Sequence, residues 1–145
     1  RRCALRRLYP GVPIYEDARD ERAFKTNAHV LCITWPCQPN SSATRQCTAE
    51  WDTRQTQIQQ NMALCVEILA QACKQSGGPP WMIVLENVPG LVELSACERA
   101  YEWLLAELFA MPYEWRGQIV CPREHFGRPG SRPRLFAVGV LWEAM

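Results

Sequence analysis

Three short stretches of this sequence carry reactive or ion-pairing side chains directly after a run that reads as a β-strand. The first is Trp35-Pro36-Cys37-Gln38-Pro39-Asn40-Ser41. Prolines on both sides of Cys37-Gln38 stiffen the loop and hold the thiol at a fixed angle, a setting that suits a cysteine nucleophile. An unperturbed thiol, with a pKa of ~8.5, is mostly protonated at neutral pH, so such a site must assist its ionisation. The ordinary alternative is a cysteine packed as a small hydrophobe, and the loop alone does not choose between them. The second stretch is Leu85-Glu86-Asn87-Val88-Pro89-Gly90. A carboxylate that ends a buried strand needs a partner or a task, and Glu86 suits a proton donor or a hydrogen-bonding acid. Its ordinary alternative is a turn cap or an ion pair with a nearby Arg. The third is Phe126-Gly127-Arg128-Pro129-Gly130-Ser131-Arg132-Pro133-Arg134. There Arg132 and Arg134 can divide the work, one serving a pocket and the other a phosphate or the scaffold.

These stretches need elements to position them. Short runs rich in Val, Ile or aromatics, bounded by Gly, Pro or Asn, predict strands at Val12–Tyr15, His29–Thr34, Trp81–Leu85, Gly117–Cys121 and Arg134–Leu141. Between Asp52 and Gln75, apolar Ile58, Met62, Cys65, Leu69 and Cys73 recur at helical spacing, and Gly77-Gly78-Pro79-Pro80 ends that helix. Ser95 with Glu98 at capping-box spacing opens a second helix whose stripe is Tyr101, Leu104, Leu105 and Leu108. Alternating strands and helices imply an α/β fold with a mostly parallel sheet and helices on both faces. The wholly apolar run Trp81–Leu85 fits a central strand buried on both sides. In such sheets ligands bind at the carboxyl ends of the strands, where all three stretches fall. The long polar connection from Thr34 to about Trp51 is of a length more often functional than decorative.

The 145 residues, 48% apolar with 6 Trp, suit one packed domain. No apolar run nears the ~18 residues of a membrane span, and the charged opening of the chain is not expected to act as a secretory signal. The formal net charge of +1 excludes a uniformly basic nucleic-acid binder. Its distribution is uneven: six Glu against Arg99 alone from Glu86 to Glu114, then five Arg against Glu124 from Arg116 to Arg134. Arg123, Arg128, Arg132 and Arg134 crowd into one Gly/Pro loop. The eight Cys form no Cys-x-x-Cys pair, and His29 and His125 stand at no ligand spacing, so neither a metal site nor a disulfide framework is expected. An intracellular, reducing compartment is the expectation: nucleus in a eukaryote, cytoplasm or nucleoid in a prokaryote.

Taken in order, the three stretches resemble the DNA cytosine-5 methyltransferase family. Pro36-Cys37-Gln38 is similar to its nucleophile motif, Glu86-Asn87-Val88 to its Glu-Asn-Val motif, and Arg132-x-Arg134 to its Arg-x-Arg motif. Asp52-x-Arg54 resembles an Asp-x-Arg-Gly element ahead of a helix, and Pro10 through Glu16-Asp17-Ala18 resembles the stretch whose Asp meets the cofactor adenine. The resemblance implies a partial Rossmann-like sheet that uses S-adenosyl-L-methionine and acts on a cytosine flipped out of double-stranded DNA. It implies that Cys37 attacks C6, that Glu86 hydrogen-bonds or protonates N3, and that Arg134 binds the base carbonyl with Arg132 nearby. Asp17, Ala18 and Pro36 would serve the cofactor; Trp35, Gln38, Ser41 and Asn87 would serve the substrate, with Trp35 placed to stack on the base.

The sequence departs from the family pattern at Ile33-Thr34-Trp35, where small Gly residues are usual, at Asn40, at Gln55 and at Gly130. The resemblance further implies that residues 1–145 are a single catalytic domain cut short, without the glycine-rich cofactor turn or the target-recognition region. Such a segment alone is expected to be inactive. Three rivals stand beside this reading. A tRNA cytosine-5 methyltransferase shares the motifs with RNA as partner, and a non-catalytic remnant would serve only as a binding module. A Cys37–His125 hydrolase would leave Glu86 idle.

Overall fold

The structure, a computed structural model, describes residues 2–25, 27–36, 51–93 and 98–142. In chain order its elements are α1 (Arg2–Leu8), a 3-10 turn (Glu21–Lys25), β1 (Val30–Thr34), α2 (Trp51–Cys73), β2 (Met82–Asn87), α3 (Gly90–Glu93), α4 (Glu98–Phe109), β3 (Tyr113–Val120), α5 (Pro122–Phe126) and β4 (Arg134–Leu141). The strands form one sheet in the order β1-β2-β4-β3. β1 and β2 are parallel, with Thr34 opposite Glu86. β4 runs antiparallel to both neighbours, with Glu86 opposite Phe136 and Val120 opposite Arg134. The α/β class therefore holds, while the sheet is mixed and not mostly parallel. The carboxyl ends of β1, β2 and β3 and the start of β4 share one edge.

Side chains alternate across the sheet. Odd-numbered positions (Ile33, Ile83, Leu85, Tyr113 and Leu141) join Ile58, Met62, Cys65 and Leu69 of α2 and Ala100, Leu104 and Leu108 of α4 in one buried cluster. The helical stripes anticipated from spacing are thus the ones that pack. Both long helices lie on this single face, and Ala4 to Leu8 of α1 are exposed. The opposite face is only half covered: Met82, Val84 and Glu86 are intermediate in exposure, and Val30 is 48% exposed. β2 is accordingly a strand of alternating burial, not one buried on both sides.

Two further expectations shift. Residues 12–15 form no strand; Pro13 lacks the N–H that a ladder requires. β3 begins at Tyr113, four residues ahead of the expected start at Gly117. Two joints brace the helices. Asn27, at φ 49°, accepts the Gly77 N–H at 2.9 Å and the Ser76 hydroxyl at 3.2 Å, tying the approach to β1 to the end of α2. The Tyr113 hydroxyl donates to the Pro80 carbonyl at 2.8 Å, locking β3 to the segment that enters β2.

Candidate active site

The common strand edge gathers three segments. From β2, Glu86 projects onto the half-covered face, where the Nε of Arg134 lies 2.8 Å from its Oε1. The two side chains are 26% and 23% exposed, dry enough for the charges to be felt and open enough to meet a ligand. The first guanidinium nitrogen of Arg134 also donates to the Pro133 carbonyl at 2.8 Å, which fixes the direction of its fork. Strand pairing dictates this meeting: Phe136 stands opposite Glu86, and Arg134, two positions earlier, shares its face.

Asn87 faces the other way. It is 2% exposed on the helical side, and its Oδ1 accepts the Val88 N–H at 2.9 Å. Its Nδ2 donates a long hydrogen bond, 3.4 Å, to the Trp35 carbonyl. The Asn therefore links the turn after β2 to the chain two residues before Cys37. The Trp35 indole packs against the core and borders a cavity of about 40 Å³ shared with Asn87, Leu91, Tyr101, Leu105 and Leu135. Its Nε1 is buried without an acceptor among the described residues. The ring thus lies across the sheet from Glu86, away from where a base held by Glu86 and Arg134 would stack. Pro36 is exposed at the edge. Cys37, Gln38 and Ser41 lie outside the described residues, as does Ser95. Asp52 and Arg54 fall within the first turn of α2 rather than ahead of it.

The third segment is the connection from β3 to β4. Cys121 precedes α5, whose Pro122 takes a first-turn position that needs no N–H. Gly127 ends α5 at φ 60°, and its N–H and that of Arg128 turn back to the Pro122 carbonyl. The Cys121 Sγ lies 3.9 Å from the Ser131 hydroxyl, closing the loop on itself. The backbone N–H of Glu124, then that of Arg123, holds the Cys121 thiol below its ordinary range, against the opposing effect of burial. Nδ1 of His125 is taken up by the Cys121 backbone, 3.0 Å from its carbonyl and 3.2 Å from its nitrogen. Cys37, the other member of the Cys–His hydrolase reading, lies outside the described residues. Arg132 is exposed in the irregular stretch before β4. The anchoring by Cys121, His125 and Ser131 was not legible in the sequence; the Cys-Pro step before a short helix was its only local sign.

A further segment, outside that edge, is the approach to β1, which enters the strand at its amino end. Asp17 lies in an exposed turn, where its Oδ1 accepts the Arg19 N–H at 2.9 Å. Ala18, Ala23 and Ala28 border a cavity of about 310 Å³ that runs along β1 to Thr34, with Ile68 and Ala72 of α2 as part of its wall. The volume and apolar lining suit a ring system, and the small alanines leave space that larger side chains would fill. The residues that line it fit the nucleoside part of a cofactor, and Asp17 precedes Ala18 in the chain without lining the cavity. Among the described residues, no group of three His, Cys, Asp or Glu is placed to hold a metal, and no helix is long and apolar enough to cross a membrane.

Comparison with known proteins bears on these features. The profile of the C-5 cytosine-specific DNA methylases matches residues 11–144. No curated protein sequence matches the chain. Among solved structures, an Entamoeba histolytica methyltransferase, EhMeth, superposes with a TM-score of 0.62 at 18% identity, over 94% of this chain and 40% of its own. A Spodoptera frugiperda DNMT2 mutant gives 0.62 at 19%, over 97% and 39%. The S. pombe Dnmt2 methyltransferase gives 0.52 at 23%, over 86% and 31%. At these identities the likeness is one of fold, and the chain spans two fifths or less of these relatives' lengths.

Proposed function

Since this chain belongs to the C-5 cytosine-specific DNA methylase family, we propose that it forms the catalytic sheet of an enzyme that methylates C5 of cytosine in double-stranded DNA. The half-buried Glu86–Arg134 pair at the strand edge carries the reading. A carboxylate and a guanidinium side by side match the edge of a cytosine: the acid meets N3 and the cation meets the base carbonyl. Proton donation at N3 draws electrons from the ring and makes C6 open to attack.

In this reading Cys37 is the nucleophile, and its thiolate bonds to C6 of a cytosine taken out of the stack. Asn87 sets the height of that loop through the Trp35 carbonyl. Pro36, Gln38 and Ser41 line the approach, and Arg132 faces the backbone. Asp17 and Ala18 would hold the adenosine of S-adenosyl-L-methionine, which when bound supplies the methyl group. Loss of the C5 proton then expels Cys37 and restores the ring. The choice of DNA as substrate follows the wording of the family description.

The test is adduct trapping. The chain, carried within a full-length protein of the family and shown by calorimetry to bind the cofactor, is incubated with it and a duplex carrying 5-fluorocytosine, with a 5-fluorocytosine tRNA as second arm. A denaturation-resistant adduct that maps to Cys37 and disappears in Cys37→Ser is the expected result. No adduct from folded, cofactor-bound protein overturns the reading, and an adduct with tRNA alone moves it to RNA.

A further inference from the structure

The connection between β3 and β4 holds more positive charge than the chemistry above requires. Between Cys121 and Arg134 stand Arg123, Arg128, Arg132 and Arg134, with Glu124 the one carboxylate. Arg134 is matched by Glu86. Elsewhere Arg19, Arg22 and Arg116 pair with Glu67, Asp20 and Glu114. Arg123, Arg128 and Arg132 are exposed and have no such partner among the described residues.

The loop that carries them is held in shape. Its ends are paired strand residues, Val120 and Arg134. The Arg128 N–H bonds the Pro122 carbonyl at 3.1 Å, which brings the backbone of Arg128 back to the start of α5. The Cys121–Ser131 contact of 3.9 Å returns Arg132 to the base of the same loop. Three unmatched guanidinium groups therefore hang from one closed loop, on the sheet edge that holds Glu86. Guanidinium forks fit phosphate oxygens two at a time, and a loop already ordered loses little freedom on binding.

We propose that Arg123, Arg128 and Arg132 form a phosphate-binding rim that grips the backbone of duplex DNA beside the target base. The inference rests on the proposed nucleic-acid substrate and adds the surface that positions it. Its role is electrostatic and independent of base sequence.

The test reads binding, not chemistry. Affinity for an unmodified DNA duplex is measured by fluorescence anisotropy across a salt series for the parent protein, Arg123→Gln/Arg128→Gln and Arg123→Lys/Arg128→Lys. Each phosphate contact contributes about 0.9 to the slope of log affinity against log salt, so the Gln pair should flatten the slope by about 2 and the Lys pair should keep it. Both positions are exposed, and melting curves check that the variants fold. An unchanged slope in the Gln pair overturns the proposal, as does a parent protein that does not bind duplex DNA. A loss confined to a tRNA arm overturns the assignment to DNA. Failure of the methylation reading appears separately, as absence of the Cys37 adduct in the parent at any salt.

Discussion

Glu86 and Asn87 are adjacent in the chain and serve opposite faces of the sheet. The carboxylate meets Arg134 on the half-covered side, and the amide reaches the Trp35 carbonyl on the packed side. One pleat thus places an acid in the site and a brace beneath it.

The acid is the sharper test of chemistry. Glu86→Gln keeps size and hydrogen bonding but cannot give up a proton, so trapping of 5-fluorocytosine should slow by about 10²-fold or more. An unchanged rate of adduct formation removes Glu86 from the proposed role. A double-mutant cycle with Arg134→Met, read by urea unfolding, should show a coupling of about 1 kcal/mol, between the values of exposed and buried pairs.

Asn87→Ala removes the brace. It leaves the Val88 N–H and the Trp35 carbonyl without their partner, and unfolding should become easier by about 1–3 kcal/mol. Alkylation of Cys37 in the native protein should also become faster, since its loop loses the tie at Trp35. A variant with unchanged stability and unchanged Cys37 labelling would contradict this linkage.

Gly139 marks a tight approach inside the sheet. It stands opposite Trp115 in the β3–β4 ladder, and a Cβ at Gly139 would lie 2.9 Å from three atoms of that indole. The ring cannot simply step aside, because its Nε1 donates to the Leu108 carbonyl at 2.9 Å. Gly139→Ala should therefore destabilise by about 1–3 kcal/mol despite its higher strand propensity, measured as a lower urea midpoint at unchanged slope.

Buried thiols and a phenol predict a loss of stability in alkali. Burial pushes the Cys65 thiol up to about 12, and burial also raises Cys73 and Tyr113. Above a pH of about 9 the unfolded chain releases the Cys65 proton and the folded chain keeps it. The folding equilibrium should then fall by up to ~10-fold per pH unit for that group until about pH 12. Urea titrations from pH 8 to 11 should show the decline, and Cys65→Ala should make it shallower. Native-state alkylation at pH 8 should label exposed Cys32 and spare Cys65.

Much of this architecture is written plainly in the residues. The i, i+4, i+7 stripe from Ile58 to Leu69 packs as spacing demands, and β4 spans the residues that its apolar run marked out. Direction is another matter. Periodicity says which side chains share a face but not which way a strand runs, so β4 read as one more parallel strand. The early start of β3 had a visible cue: Tyr113-Glu114-Trp115-Arg116 alternates apolar and charged, and Gly117 lies within the strand, not at its boundary. Glu86 and Arg134 were legible because their motifs are local. The loop anchors at Cys121, His125 and Ser131 were not, because contacts across an irregular loop leave no repeating pattern.

The strand pairings also assign the two halves of the site different folding costs. Val120 and Arg134 are paired across 14 positions of chain, whereas Thr34 and Glu86 are paired across 52. Closing the longer loop costs about 1 kcal/mol more in chain entropy. The cationic side belongs to a nearly local two-stranded unit, and the acid depends on a distant one. Short contact order favours nucleation at β3–β4, which would set out the arginines first, and the arrival of β2 beside β4 would bring the carboxylate that pairs with one of them.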